Sequence, residues 1–380
     1  MGIRGISFLI LLLLLLPLNG QKKSELKEIW AEAESHYLYG EYELANPLYL
    51  ILNELIPGNS NIKYKIGNCY LNIFDEKQKA IPFLEEAVKN TSYNSKTGKL
   101  KETRAPLDAY FSLANAYLIA NKLDSAMNTY RFFSQLITET SSMQNKEFIN
   151  QQMQACNVAS EQMNNPVRVR IQPLKGYINQ GLVNERPVVS FDGNTMAYTE
   201  RRGLESVVYV TRMEGTSWGT PVDITLEASM GTDCHTTSLN NDGTELYLFK
   251  NDNYDGNIYV TRYTDGKWSH IEKLNKNINT KFYESHAAIS SDGKKLYFTS
   301  NREGSLGELD LWVSEKDQTG DWGVPVNLGN VVNTPYNEET PFISGDDNTL
   351  TFSSEGHGSM GGYDIFLAKL SNNQWTTPVN

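Results

Sequence analysis

Three scarcities narrow the reading of this chain before any motif is considered. Cysteine is the first: Cys69, Cys156 and Cys234 are the only three in 380 residues, and no two lie close together. A zinc site built on paired thiolates therefore has no support, and an odd count leaves at least one thiol free in an oxidising compartment. Cys69 and Cys156 share the same half of the chain and could pair, but burial as small apolar residues is the simpler reading. Runs of Lys and Arg are also missing, and the net charge is −11. A phosphate-backbone binder needs a basic stripe, so nucleic acid is excluded as a partner. Finally, nothing after the first twenty residues is apolar enough to cross a bilayer. Dinucleotide fingerprints, phosphate loops and zinc-protease motifs do not occur, so the sequence asks for no cofactor and no metal.

What is present points to a folded, exported, multidomain protein. A 39% hydrophobic and 11% aromatic content is enough for real cores, and the length suggests two or three domains. Residues 1–20 read as a signal peptide. One positive charge in "MGIR" precedes the apolar "GISFLILLLLLLPL", and "NGQ" offers a small residue, Gly20, for cleavage. Pro17 interrupts the apolar run, which falls short of the roughly 20 residues a membrane span needs. An uncleaved N-terminal anchor is the alternative.

From residue 21 to 164 the apolar period is helical and glycine is rare. Small residues recur twelve apart, Ala33 with Ala45 and Ala114 with Ala126, and a less regular pair joins Gly67 to Ala80. Two antiparallel helices approach closely only where side chains are small, so these positions predict three helical hairpins. Tyr49 and Tyr130, one turn on, would fill the wedge against the next hairpin. A polar insertion, "NTSYNSKTGKLKETRAP", separates the second hairpin from the third. A last helix, "SSMQNKEFINQQMQACNVASEQM", follows Ser and Thr caps and would cover the open end. The pattern resembles the tetratricopeptide repeat family, whose unit is about 34 residues. That resemblance implies a concave surface for an extended peptide or a partner helix, with Glu34, Tyr37 and Asn115 facing it by repeat position.

At "NNPVRVRIQP" the helical period stops and strand alternation begins, with Val167, Val169 and Ile171 on one face. One phrase is then repeated four times over 165–380. Its clearest mark is a tight turn, at Asp192-Gly193, Asp242-Gly243, Asp292-Gly293 and Asp346-Asp347, which predicts hairpins with φ > 0. A short apolar strand follows each turn ("MAYT", "LYLF", "LYFT", "LTFS"), then a third strand ("VVYV", "NIYV", "DLWV", "DIFL"). Trp218, Trp268, Trp322 or Trp375 then opens a fourth. Four strands per repeat of about 50 residues with a recurring aromatic describe a β-propeller. The wording resembles the WD40-like repeats of TolB-type periplasmic propellers. The predicted fold class is therefore α+β multidomain, a helical stack followed by an all-β propeller with four recognisable blades.

The chain closes on "WTTPVN", midway through its own phrase, while "VRVRIQP" offers a second fourth-type strand at the start. Since TolB-like rings usually have six blades, the expectation is a fragment or a shortened gene product.

Two local motifs are set aside. "NDNYDGN" at 251–257 resembles half a calcium loop, but Arg262 stands where the bidentate Glu belongs, so it reads as a hairpin turn. "HGSMGG" at 357–362 lacks the first Gly of a nucleophile elbow, so Ser359 is not a nucleophile. His235 and His286 recur in successive repeats, with Asp233 and Glu284 beside them and Glu185 and Glu338 at similar places in the other copies. Gathered around a central channel, these residues would offer a polar binding site; otherwise they satisfy inner-strand backbone groups.

Neither half contains a catalytic constellation, so the reading is non-enzymatic. The order of leader, helical repeats and TolB-like propeller resembles the N-terminal part of OmpA-family envelope scaffold proteins, some of them in type IX secretion. That resemblance implies a periplasmic protein, associated with the outer membrane through envelope-protein partners. Peptidoglycan binding is not carried over, because the sequence lacks the OmpA-like domain. The alternatives are a ligand- or glycan-sensing propeller and an accessory domain of an envelope peptidase.

Overall fold

A computed structural model describes residues 24–137 and 143–380, apart from 167, 169, 175, 176, 181, 182, 204, 253 and 254. The expected leader at 1–20, the expected Ser and Thr caps at 138–142, Val167, Val169 and the centre of "NDNYDGN" lie outside the described residues. The chain divides into two compact units between Pro166 and Val167. Among the described residues no helix is long and apolar enough to cross a membrane.

The described residues of the first unit form seven helices: α1 (24–38), α2 (Tyr42–Leu55), α3 (Ser60–Asn72), α4 (Ala80–Ala87), α5 (Asp108–Ile119), α6 (Leu123–Leu136) and α7 (Met143–Asn164). The hairpins α1–α2 and α5–α6 turn on Gly40 (φ 75°) and Asn121 (φ 57°), the two residue types that enter the left-handed region most easily. Ala33, Ala45, Ala80, Ala114 and Ala126 are fully buried, as helix contacts at small residues require. At Gly67 a β-carbon would lie 2.4 Å from Cγ of Leu84, which explains the glycine in mid-helix despite its propensity cost. Asn59 caps α3 by accepting from Ile62 N at 3.1 Å. The insertion between α4 and α5 folds back on this cap rather than hanging free. Its strands β1 (Thr91–Ser92) and β2 (Ala105–Pro106) pair in parallel, and Ser60 N donates to Thr103 O at 2.9 Å.

The second unit is four antiparallel sheets arranged as propeller blades around their first strands. Blade 1 comprises β3 (Asn184–Val189), β4 (Thr195–Arg202), β5 (Glu205–Glu214), β6 (Ser217–Trp218) and β7 (Val222–Asp223). Blade 2 comprises β8 (Cys234–Leu239), β9 (Glu245–Asp252), β10 (Asp255–Thr264), β11 (Lys267–Trp268) and β12 (Glu272–Lys273). Blade 3 runs β13 (Glu284–Ile289), β14 (Lys295–Ser300), β15 (Asp310–Glu315) and β16 (Val326–Asn327). Blade 4 runs β17 (Glu338–Ile343), β18 (Thr349–Ser354), β19 (Asp364–Ser371) and β20 (Gln374–Trp375).

The fourth strand of every blade is broken into two short contacts. In blade 4 Trp375 pairs with Leu370 and Val379 with Leu367, so "WTTPVN" is the outer edge of its blade. Of the expected strand at "VRVRIQP", the described residues 168 and 170–173 are in no ladder and are exposed. Alternation alone could not supply the partner edge that a strand needs. The stretch that follows reaches blade 1 through Ile178, which packs on Met196 and Tyr198.

Each blade buries the same face against the next. Ala197, Val208 and Val210 of blade 1 meet Leu246, Leu248 and Trp268 of blade 2, and Tyr247, Ile258 and Val260 meet Leu296, Phe298 and Trp322 of blade 3. Tyr297 and Leu311 then meet Leu350, Phe352 and Phe366 of blade 4. Blade 4 carries Ile365 at the place of Leu311, and there it is 73% exposed. Leu311→Ala is thus expected to cost about 2–5 kcal/mol and Ile365→Ala no more than about 0.5 kcal/mol in urea unfolding. Similar losses for the two would show that this face is covered in solution.

All four β-turns adopt the predicted conformation, with Gly193, Gly243, Gly293 and Asp347 at φ 73°, 70°, 71° and 56°. Asp347 has a reason to replace glycine: its carboxylate accepts from Ser291 N (2.9 Å) and Ser291 Oγ (2.8 Å), tying the blade 4 turn to that of blade 3. Asp347→Gly loses the tie but relieves the backbone; Asp347→Ala loses the tie with no relief. The alanine variant is expected to be less stable than the glycine variant by about 1 kcal/mol in denaturant titrations.

Candidate functional site

The helical residues singled out by repeat position are tied into the packing. Glu34 accepts from the hydroxyl of buried Tyr49 and pairs with Lys65 Nζ at 3.0 Å. Asn115, its equivalent two hairpins on, accepts from the hydroxyl of buried Tyr130. Tyr37 accepts from Asn68 Nδ2 at 3.1 Å, and Lys65 Nζ sits 3.9 Å from its ring centre. Tyr37 and Asn115 also line a shallow groove with Asn68, Asn72 and Ser112, on α1, α3 and α5, whereas Glu34 does not. The cysteines are free and buried, and burial pushes the Cys69 and Cys234 thiols up to about 12.

In the propeller, the four first strands share one irregularity. Each breaks register with its neighbour: between Glu185 and Val188, Thr236 and Ser238, Ser285 and Ala288, and Glu339 and Phe342. At three of these bulges a non-glycine residue takes positive φ: Arg186 (52°), His286 (48°) and Thr340 (50°). A bulge re-aims a side chain that regular pleating would direct elsewhere. Here Arg186, Thr236, His286 and Thr340 all line one cavity at the meeting point of the four strands.

Around this cavity Arg186 lies 5.8 Å from the Phe249 ring, against which His235 and His286 stack at 6.2 and 6.4 Å. Burial, then the Arg186 charge, lowers the pKa of both histidines, His286 to about 4. His235 Nε2 is 3.0 Å from Asp233 Oδ1, and its Nδ1 is 3.6 Å from Glu185 Oε1. Glu185 in turn accepts from Arg201 Nη2 at 2.5 Å.

Glu284 and Glu338 stand elsewhere. Strand pairing aligns Glu284 and Glu338 with Cys234 and Asn184, and aligns Glu185 with His235, Ser285 and Glu339. The repeat comparison was therefore off by one residue, and in a strand one residue reverses the face. Both carboxylates are fully buried and bind the segment entering their own strand. Glu284 accepts from Thr280 N (2.8 Å), Thr280 Oγ1 (2.7 Å) and Ser300 Oγ (3.0 Å). Glu338 repeats this with Thr334 N (2.8 Å), Thr334 Oγ1 (2.6 Å) and Ser354 Oγ (2.7 Å). Asn279 and Asn333, just before those threonines, clasp the third strand of the preceding blade, at Ile258 and Leu311. The signal was available as "NT…E" at 279–284 and 333–338.

Burial pushes Glu338 up to about 7. A folded value above the unfolded one favours the protonated fold. The stability this contributes is full below about pH 4.5 and is lost as pH rises through 7. Relative to Glu338→Gln, the wild type is expected to lose on the order of 3 kcal/mol between pH 4.5 and 8 in urea titrations. The comparison must be with the variant, because His286 acts in the opposite sense between about pH 4 and 6.5. A pH-independent difference would refute the assignment.

The two decoy motifs occupy turns. "HGSMGG" joins β18 to β19, with Ser359 Oγ donating to Glu355 O at 2.8 Å. "NDNYDGN" spans the β9–β10 connection, where Asp252 accepts from the Tyr259 hydroxyl at 2.7 Å.

No protein-family model matches the chain, and no curated protein does. Solved structures similar to it include TolB from Acinetobacter baumannii (16% identity, covering 50% of this chain and 44% of that one, TM-score 0.35). A putative TolB from Agrobacterium tumefaciens matches at 17% identity, covering 50% and 62%, with a TM-score of 0.37. An alpha-L-arabinofuranosidase from Lactobacillus brevis matches at 14%, covering 53% and 75%, with a TM-score of 0.37. The chain thus spans less than two thirds of either TolB structure. Likenesses this distant carry no argument about function; the propeller rests on its own four sheets.

Proposed function

We propose that this is a non-enzymatic, exported scaffold protein of a Gram-negative cell envelope, and that its helical unit, of tetratricopeptide type, holds an extended segment of a protein partner. The observation that carries the reading is the groove along α1, α3 and α5. Tyr37, Asn68, Asn72, Ser112 and Asn115 line it with uncharged groups that both donate and accept. Such groups suit the main chain of an extended peptide, which presents donors and acceptors alternately and carries no net charge. Asn115 gives its carbonyl to Tyr130, and its amide donors have no protein partner among the described residues. The propeller adds a second surface, as expected of a scaffold in outer-membrane assembly or type IX secretion.

A photo-crosslinking residue at position 72 tests this in envelope preparations. A defined partner should be crosslinked, and Asn72→Ala should weaken binding of the purified partner about tenfold, equivalent to about 1.4 kcal/mol. Unchanged binding in the variant would sink the groove assignment, and hydrolysis of peptide or glycoside substrates by pure protein would sink the non-enzymatic one. Release of the mature protein by osmotic shock checks its export.

A further inference from the structure

We infer that the cavity at the centre of the propeller binds a small carboxylate, held by the guanidinium of Arg186. The inference is independent of the helical groove. The cavity, about 240 Å³, is lined by residues from the first strand of all four blades. That volume holds a small carboxylate, and a neighbouring cavity of about 440 Å³ shares Pro187, Val188, Thr237 and Phe342 with it.

Its lining is one-sided in charge. Arg186 is the cation, Thr236, Thr237, Thr340 and His286 add polar groups, and no carboxylate side chain lines it. Two of these residues carry buried polar atoms with no hydrogen-bond partner: Arg186 Nη1 and Thr237 Oγ1. A buried donor left unmade is costly, more so for a charged group, so two orphans in one cavity call for an acceptor. Positive φ at Arg186 and His286 adds backbone strain of the kind that clusters at ligand sites.

Several charged groups surround Arg186. Glu339 interacts with it; burial raises the Glu339 pKa while the Arg186 charge lowers it, and Glu339 does not line the cavity. Glu185 is engaged by Arg201, and Asp233 by His235. A guanidinium can form two parallel N–H···O bonds with either a carboxylate or a phosphate, but one cation among apolar walls leaves the further charge and oxygens of phosphate without partners. Pro187, Val188, Pro341 and Phe342 complete the walls and suit a short apolar tail.

Thermal melts of the full chain in propionate, phosphate and chloride at equal ionic strength test the assignment. Propionate should raise the melting temperature in a saturable way, and phosphate and chloride should not. Arg186→Gln should abolish the shift, and Arg186→Lys should reduce it at least tenfold in apparent affinity. Thr237→Val, which removes an orphan hydroxyl without disturbing the charge, should keep the fold and weaken propionate by a smaller factor. A free-acid tripeptide and its amide form the second arm, separating a free carboxylate from a chain terminus. A shift with the free-acid peptide but not with propionate overturns the small-molecule assignment. An equal response to all anions, or a propionate shift that survives in Arg186→Gln, overturns the site.

Discussion

Replacing Arg302 by methionine is expected to lower the stability of the propeller by about 3–5 kcal/mol, because it leaves a buried carboxylate without its counter-charge. Glu284 is fully buried and Arg302 is 8% exposed; Nη2 of the arginine is 3.1 Å from Oε1 of the glutamate. The guanidinium also donates to Asn277 O at 3.0 Å, Ile278 O at 2.6 Å and Ser300 Oγ at 3.1 Å, and lies 4.8 Å from the Phe298 ring. Four of its five N–H donors are therefore used in joining the incoming segment and β13 to β14.

Blade 4 contains the same device without the arginine. Gly356 occupies the equivalent position, its N–H donating to Ser354 Oγ as that of Arg302 donates to Ser300 Oγ. Glu338 answers the missing charge by a pKa raised to about 7. The Arg302→Met protein would likewise hold a buried carboxylate with no counter-charge beside it. Adding Glu284→Gln should recover much of the loss, giving a coupling energy of at least 1 kcal/mol in a double-mutant cycle. Strictly additive effects would mean that the pair is not coupled. An arginine cannot be restored in blade 4 by Gly356→Arg, since a β-carbon there would lie 2.3 Å from Thr334 Oγ1.

The second large effect is steric. Gly307→Ala is expected to cost at least about 3 kcal/mol, a loss in the range of severe overpacking, and to lower the melting temperature by roughly 10 °C. Its β-carbon would lie 1.9 Å from the carbonyl oxygen of Tyr336 and 3.0 Å from that of Thr334. Both are main-chain atoms, so no rotamer change relieves the contact. Gly307 N also donates to Asp310 Oδ1 at 3.0 Å, which holds the loop in place. The strand-connecting loop of blade 3 and the entry segment of blade 4 must separate to admit a methyl group. Gly293→Ala is the control: its φ is 71°, but nothing lies within 4 Å of the added carbon. It should show only the backbone penalty of about 1 kcal/mol. Equal losses at the two sites would show that close approach is not what requires Gly307.

Features with a local cause were legible in the sequence. Small residues twelve apart marked helix contacts, because helices meet only where side chains are short, and Ala33, Ala45, Ala114 and Ala126 are fully buried. The Asp-Gly turns marked hairpins, because few residues accept φ > 0. Together these sufficed for the order of helices followed by blades. Features that depend on a partner strand were not legible. "VRVRIQP" alternates like a strand, but its described residues pair with no neighbouring strand. Glu284 and Glu338 were expected near the channel, but a one-residue error in aligning repeats exchanges inward and outward faces. Ladder registers resolve that error, and bulges set them. Arg186, Thr236, His286 and Thr340 each stand six residues before the first Asp of their turn, so the repeat spacing aligns them, but side chains this different gave no reason to group them as a site. The four first strands and their bulges bring them to one cavity. The sequence by itself determined which elements form and in what order, since propensity and turn chemistry act over a few residues. Only the tertiary structure decided which side chains share the centre of the propeller, since that depends on register between strands about fifty residues apart.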